Sequence, residues 1–173
     1  NLYVPVGGRP DAPALYRAEH SDTAFLTDGL LEDLPTRDDG WCAHVTFIRP
    51  HPPFVAPAPF NSLADPDAMP VPADGDGAAF AASHPFNAHA MAYRRARDMV
   101  CGFPDLAPSK ETTAMLRAVY MGLVAELDHH FGRIIDHLKA TGQYEDTLIV
   151  VTSDHGELLG DYGCWGKMSY LDA

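Results

Sequence analysis

Residues 147–167 read TLIVVTSDHGELLGDYGCWGK. The first six, Thr147 to Thr152, form a short continuous apolar run after a polar turn, and Ser153, Asp154 and His155 follow at once. That is the pattern of a buried parallel strand whose C-terminal end delivers polar residues to a site. Just upstream, Leu116, Val119, Tyr120, Leu123, Val124, Leu127, Phe131, Ile134, Ile135 and Leu138 recur every three or four residues, which predicts an amphipathic helix opening near Ser109. Gly142 stands where a left-handed helix end belongs. Helix, turn, buried strand and polar tip make half of a doubly wound α/β unit, so the fold class expected is α/β.

Further upstream the pattern is different. Of the chain's 15 prolines, eleven lie between Pro50 and Pro108 and none follows Pro108. Because proline removes a backbone donor, residues 50–108 are expected to be an irregular insertion, with a short helix near Ala88 to Val100. Before it, His20 to Leu34 reads as a helix: Ser21 can cap it, Asp22 suits its first turn, Phe25, Leu26, Leu30 and Leu34 recur at near-helical spacing, and Pro35 stops it. Trp41 to Arg49 (WCAHVTFIR) is rich in β-branched and aromatic residues with both faces largely apolar, and so reads as an interior strand.

Composition narrows the function. The 173 residues are 46% apolar, enough for a real core, and carry 12 Lys plus Arg against 24 Asp plus Glu, a formal charge of -12. Such a chain should repel nucleic acid and anionic lipid. No run of about eighteen apolar residues is present, so no membrane span is expected. Three cysteines (Cys42, Cys101, Cys164) without Cys-x-x-Cys spacing read as reduced thiols, which points to a cytoplasmic location.

Four residues stand out for chemistry. Asp154 and His155 can place a carboxylate oxygen and an imidazole nitrogen on one metal, although the pair supplies only half a shell and could equally cap the next turn and bond a carbonyl. Lys167, after glycines 156, 160, 163 and 166, can sit beside a bound oxyanion or simply face solvent. His51 lies among Pro50, Pro52 and Pro53, which stiffen the backbone around one imidazole; it can serve a departing oxygen or be an ordinary turn residue. His44, His129, His130 and His137, with Asp128, read as packing or surface residues.

Together these segments resemble the sulfatase branch of the alkaline phosphatase superfamily. TLIVVTSDHGELLGDYGCWGK resembles its C-terminal metal-binding segment, and AVYMGLVAELDHHFGRIIDHLKATGQYEDT the helix and turn leading into it. TFIRPHPPFVAPAPF is similar to the leaving-group histidine region, most closely in the phosphonate monoester hydrolase subgroup, as is WGKMSY. The resemblance covers roughly residues 20–60 and 110–173. It implies a partial alkaline phosphatase-like fold with a mostly parallel sheet flanked by helices, residues 1–173 being the central part of one catalytic domain. It implies that Asp154 and His155 bind the metal, that Lys167 contacts the non-bridging oxygens of the transferred group, and that His51 serves the leaving group. Thr46 and Arg49 have no matched role, and Tyr162 stands where many members have a histidine. An imidazole ligand favours Mn, Zn or Fe over calcium.

The family nucleophile, a formylglycine or serine in a Cys/Ser-x-Pro-x-Arg segment, matches none of the three cysteines, and is expected upstream of Asn1. The expected activity is hydrolysis of phosphonate and phosphate mono- and diesters, with sulfate esters as further substrates. An arylsulfatase and a non-catalytic sulfatase-like domain are the alternatives. The 173 residues alone are expected to be inactive. The partner expected is a small anionic ester, with no nucleic acid and no membrane; a homo-oligomer is compatible.

Overall fold

The structure is a computed structural model that describes residues 1–73 and 77–167. Its α-helices are α1 (Asp22–Asp33), α2 (Gly77–Ser83), α3 (Pro85–Tyr93) and α4 (Lys110–Ala140), with short 3-10 turns between them.

The long helix begins and ends as its sequence dictates. Ser109 Oγ accepts from the Thr112 amide at 3.0 Å, satisfying one of the donors a helix start leaves unpaired, and Glu111 lies in the positive first turn. At the other end Gly142 takes φ +72°. The amides of Gly142 and Gln143 donate to the carbonyls of Lys139 and Leu138 at 3.2 and 2.9 Å, the paired closure that only a left-handed residue permits.

One face of α4 organises the core. Leu116, Val119 and Leu123 are buried against Phe54, Ala56, Phe60, Met99, Val100 and Trp165. Burying each of the larger side chains contributes about 1.5–3 kcal/mol. Phe54 also meets the Tyr120 ring edge to face, with centroids 5.4 Å apart. Lower on the helix the apolar stripe is only half covered, from Val124 through Leu127 and Phe131 to Ile135.

Helix α1 forms where expected, with Ser21 Oγ accepting from the Ala24 amide at 3.0 Å. Leu34 at its end is buried, as the leucine spacing suggests, but Phe25 is not on that side. Thr23, Ala24 and Thr27 face inward while Phe25 is 77% exposed. Small side chains let α1 approach α4, and Thr27 satisfies its hydroxyl by donating to the Thr23 carbonyl at 2.8 Å.

The proline-rich middle is not a surface excursion. Phe54, Val55 and Ala56 are fully buried, and Phe60 opens a 3-10 turn (Phe60–Ser62) packed on α4. Proline prevents this stretch from joining a regular ladder but does not prevent its side chains from filling a core. The helix expected near Ala88 to Val100 lies earlier. It is α3, which starts at Pro85, a residue suited to a first helical position where no amide is needed, and a 3-10 turn (Ala96–Met99) follows it.

The two expected interior strands are not paired. Among the described residues none is assigned to a strand; residues 41–48 and 147–153 run without regular hydrogen bonding. Leu148 is 90% and Val150 76% exposed. A strand is completed by a neighbour's amides and carbonyls, and helices and irregular loops offer none. Cys42, Cys101 and Cys164 are all free thiols, and among the described residues no helix is long and apolar enough to cross a membrane.

A glycine marks the closest approach in the core. A Cβ at Gly122 would run into the Phe60 carbonyl oxygen, a backbone atom that cannot swing aside. Gly122→Ala gains about 1 kcal/mol in helix propensity but incurs an overpacking cost of about 1–3 kcal/mol. The expected outcome is a net loss of stability, read as a lower urea midpoint with an unchanged slope.

Candidate active site

Asp154 and His155 stand together on an exposed turn directly after residues 147–152. Asp154 Oδ1 accepts from the His155 amide at 3.1 Å, and its Oδ2 lies 3.4 Å from His155 Nε2. His155 Nδ1 is 2.8 Å from the Gly156 carbonyl, which assigns the proton to Nδ1 and leaves the Nε2 lone pair free. Ser153 Oγ donates to the His155 carbonyl at 2.6 Å and closes the turn. Two ligands bonded at about 2.1 Å with a tetrahedral angle between them lie about 3.4 Å apart. The Asp154–His155 pair therefore fits a divalent metal as two adjacent ligands. Among the described residues no group of three or more His, Cys, Asp or Glu gathers at one point, so further ligands would have to come from elsewhere.

A closed loop ties the residue before Lys167 back to Glu157 and Leu158. The Leu158 amide donates to the Gly166 carbonyl at 3.2 Å, the Gly160 amide to the Cys164 carbonyl at 2.8 Å, and the Gly166 amide to Glu157 Oε1 at 2.5 Å. Residue 166 is thus tied to residue 157, two positions beyond His155. Gly160 is left-handed at φ +93°, and a Cβ there would meet Thr113 Cγ2 at 2.8 Å, so the loop rests tightly on α4. Trp165 and Leu158 are buried, and Arg117 on α4 donates to the Leu159 carbonyl at 2.8 Å, the Pro70 carbonyl at 2.7 Å and Asp161 Oδ1 at 2.6 Å. Lys167 itself is exposed.

His51 belongs to a separate segment. Its amide donates to the Ile48 carbonyl at 3.0 Å, its Nδ1 is 2.7 Å from the Pro52 carbonyl, and its side chain is exposed. No hydrogen bond or ion pair among the described residues links it to Asp154, His155 or Lys167. Behind it lies Arg49, 4% exposed, whose Nη1 donates to the Pro53 carbonyl at 3.0 Å and whose Nη2 donates to Tyr16 Oη at 2.9 Å. Asp22 Oδ1 is 3.5 Å from Arg49 Nε, near enough for an ion pair though outside hydrogen-bond geometry. Burial pushes the Tyr16 hydroxyl up to about 12 despite the nearby guanidinium.

Glu126 of α4 is fully buried beside this group, with neither carboxylate oxygen hydrogen-bonded. Burial raises its pKa, and the Ser21 hydroxyl and Arg49 only partly oppose that. The periodicity of α4 does not reveal Glu126 or Arg117, because charged residues off the apolar stripe read as solvated. Arg49 carried a weak signal, its place next to Pro50 and His51. His130 is buried, consistent with a packing role, and burial lowers its pKa.

The Glu126 shift has a consequence for stability. The unfolded carboxyl ionises near the ordinary value of 4.5, whereas the folded one stays protonated to higher pH. As pH rises through 4.5 toward that raised value the folded state is penalised, and stability falls. Glu126→Gln removes this dependence. In the full-length protein, the stability of the variant relative to the parent should increase between about pH 4 and pH 7, measured by urea unfolding at each pH.

The sequence model of the family described as Sulfatase matches residues 5–171. The multifunctional alkaline phosphatase superfamily protein PehA of Trinickia caryophylli is 38% identical over 98% of this chain and 35% of its own length. The choline-sulfatase of Rhizobium meliloti is 29% identical over 96% of this chain and 32% of its own. Among solved structures, the phosphonate monoester hydrolase of Silicibacter pomeroyi superposes with a TM-score of 0.93 at 54% identity, covering 99% of this chain and 35% of that one. That of Agrobacterium radiobacter superposes with a TM-score of 0.88 at 36% identity, with the same coverages. The chain thus spans about a third of the length of the relatives it matches.

Proposed function

The chain belongs to the sulfatase family of the alkaline phosphatase superfamily, and we propose that it carries part of the active site of a metal-dependent hydrolase of phosphonate and phosphate mono- and diesters, with sulfate esters as secondary substrates. The observation that carries this reading is the likeness, at 54% identity over 99% of the chain, to the phosphonate monoester hydrolase of Silicibacter pomeroyi. In the same reading, residues 41–49 and 147–152 join a mostly parallel sheet completed by the rest of the protein, which accounts for their exposed apolar side chains. Residues 1–173 are then the middle of one catalytic domain, and the free thiols suit a cytoplasmic enzyme.

The substrate is a small anionic ester, and the chain's residues divide the work on it. Lys167 donates to a non-bridging oxygen of the transferred group, where negative charge must be held as the ester bond breaks. His51, fixed through Nδ1 by the Pro52 carbonyl, gives a proton from Nε2 to the departing oxygen. Asp154 and His155 would hold a divalent metal, which supplies Lewis-acid charge at the transferred group; the imidazole nitrogen favours Mn, Zn or Fe over calcium. A formylglycine nucleophile is expected from outside the chain. The overall negative charge does not oppose this chemistry, since the groups facing the ester are a lysine, a histidine and a metal.

A second reading, an arylsulfatase, is favoured by the choline-sulfatase match. Steady-state turnover by the full-length protein separates the two. An aryl phosphonate monoester should be hydrolysed with a higher kcat/KM than the matching aryl sulfate, and Asp154→Ala should lower both the bound metal per protein and the turnover by at least about 100-fold. Faster turnover of the sulfate would transfer the assignment to the sulfatases, and no turnover of either ester would favour a non-catalytic domain.

A further inference from the structure

We propose that Arg49 is a positioning residue of this active site, holding the turn that presents His51. The inference rests on the reading of His51 as the leaving-group residue. Its origin is a shortage of donors. Pro50, Pro52 and Pro53 have no backbone N–H, so of residues 50–53 only His51 can donate, and its amide is spent on the Ile48 carbonyl at 3.0 Å. The carbonyls on the inner side of the turn must find donors elsewhere. Arg49 Nη1 supplies one, at 3.0 Å from the Pro53 carbonyl, with a longer contact of 3.4 Å to the carbonyl of His51 itself.

The guanidinium is in turn held from the other side. Nη2 donates to Tyr16 Oη at 2.9 Å, Asp22 at the start of α1 lies 3.5 Å from Nε, and the Tyr3 ring stands 5.4 Å from Cζ. Burying a guanidinium is costly unless its donors are used. Here Nη1 and Nη2 are used on a backbone turn and a phenol, while Nε has only the Asp22 carboxylate at ion-pair distance, which is the arrangement of a clamp. The His51 side chain is exposed. Its direction follows from Nδ1 on the Pro52 carbonyl, within the same turn. Whatever fixes the turn therefore fixes the imidazole. A lysine cannot take over, because a single ammonium cannot reach the Pro53 carbonyl and Tyr16 from one plane.

A clamp and a merely structural arginine differ in how their loss depends on the leaving group. The experiment measures kcat/KM of the full-length protein on aryl phosphonate monoesters spanning acidic to weakly acidic phenols, for His51→Ala, Arg49→Lys, Tyr16→Phe and the His51→Ala/Arg49→Lys double variant. Expected are losses of about 10-fold or more on the weakly acidic leaving groups and about 2-fold or less on the most acidic one for Arg49→Lys, mirroring His51→Ala. The double variant should be no slower than His51→Ala alone, and Tyr16→Phe should show the same trend at smaller size. Uniform slowing across the series, or losses that multiply in the double variant, would overturn the inference while leaving the role of His51 intact. If Arg49→Lys does not fold, a Tyr16→Phe loss independent of leaving group decides against it. A His51→Ala variant with no leaving-group dependence would instead remove the reading of His51, and the inference with it.

Discussion

Phe54 and Trp165 are packed in the core built on Leu116, Val119 and Leu123 of α4, and that shared burial joins the two halves of the candidate site. Phe54 follows His51 by three residues, and Trp165 precedes Lys167 by two. Each buried aromatic side chain contributes on the order of 1.5–3 kcal/mol, so neither segment leaves α4 cheaply. The polar parts of the site can therefore lie on irregular, exposed backbone and still have defined positions.

Hydrophobic contact sets where the two segments lie, and two arginines set their shape. The first segment is poor in backbone donors because of its prolines, whereas the second is a glycine-rich loop closed by its own backbone hydrogen bonds, such as Leu158 to Gly166 and Gly160 to Cys164. Arg49 serves the first by donating to the Pro53 carbonyl, and Arg117 serves the second by donating to the Leu159 and Pro70 carbonyls. Each also has a carboxylate at hand, Asp22 for Arg49 and Asp161 for Arg117. Glu126 adds a buried carboxyl with neither oxygen hydrogen-bonded, and burial raises its pKa.

What the sequence makes legible follows from range. Helix α4, its Ser109 cap and its Gly142 end are written in local spacing and local chemistry, and all three are present. The Asp154–His155 pair is legible for the same reason, since adjacent residues cannot be far apart. Strand pairing is different: the apolar runs at 41–49 and 147–152 are plain in the sequence, but a ladder depends on a neighbour that no local pattern names. On α1 only Phe25 departs from the expectation: it is exposed, because close approach to α4 selects the small residues Thr23, Ala24 and Thr27 on the inward side. Arg49, Arg117 and Glu126 are not legible, because a charged residue reads as solvated until partners such as Tyr16, 33 residues from Arg49, and Pro70, 47 residues from Arg117, are in place.

In the proposed function, residues from two distant segments converge on one metal-dependent ester hydrolysis site. The most direct measurement is a crystal structure of the full-length protein with bound metal and a phosphonate product, the metal located by its anomalous scattering. Expected are metal bonded to Asp154 Oδ2 and His155 Nε2, Lys167 Nζ on a phosphonate oxygen, and His51 Nε2 on the side of the departed group. Metal bound away from Asp154 and His155, or a phosphonate out of reach of both Lys167 and His51, would contradict it.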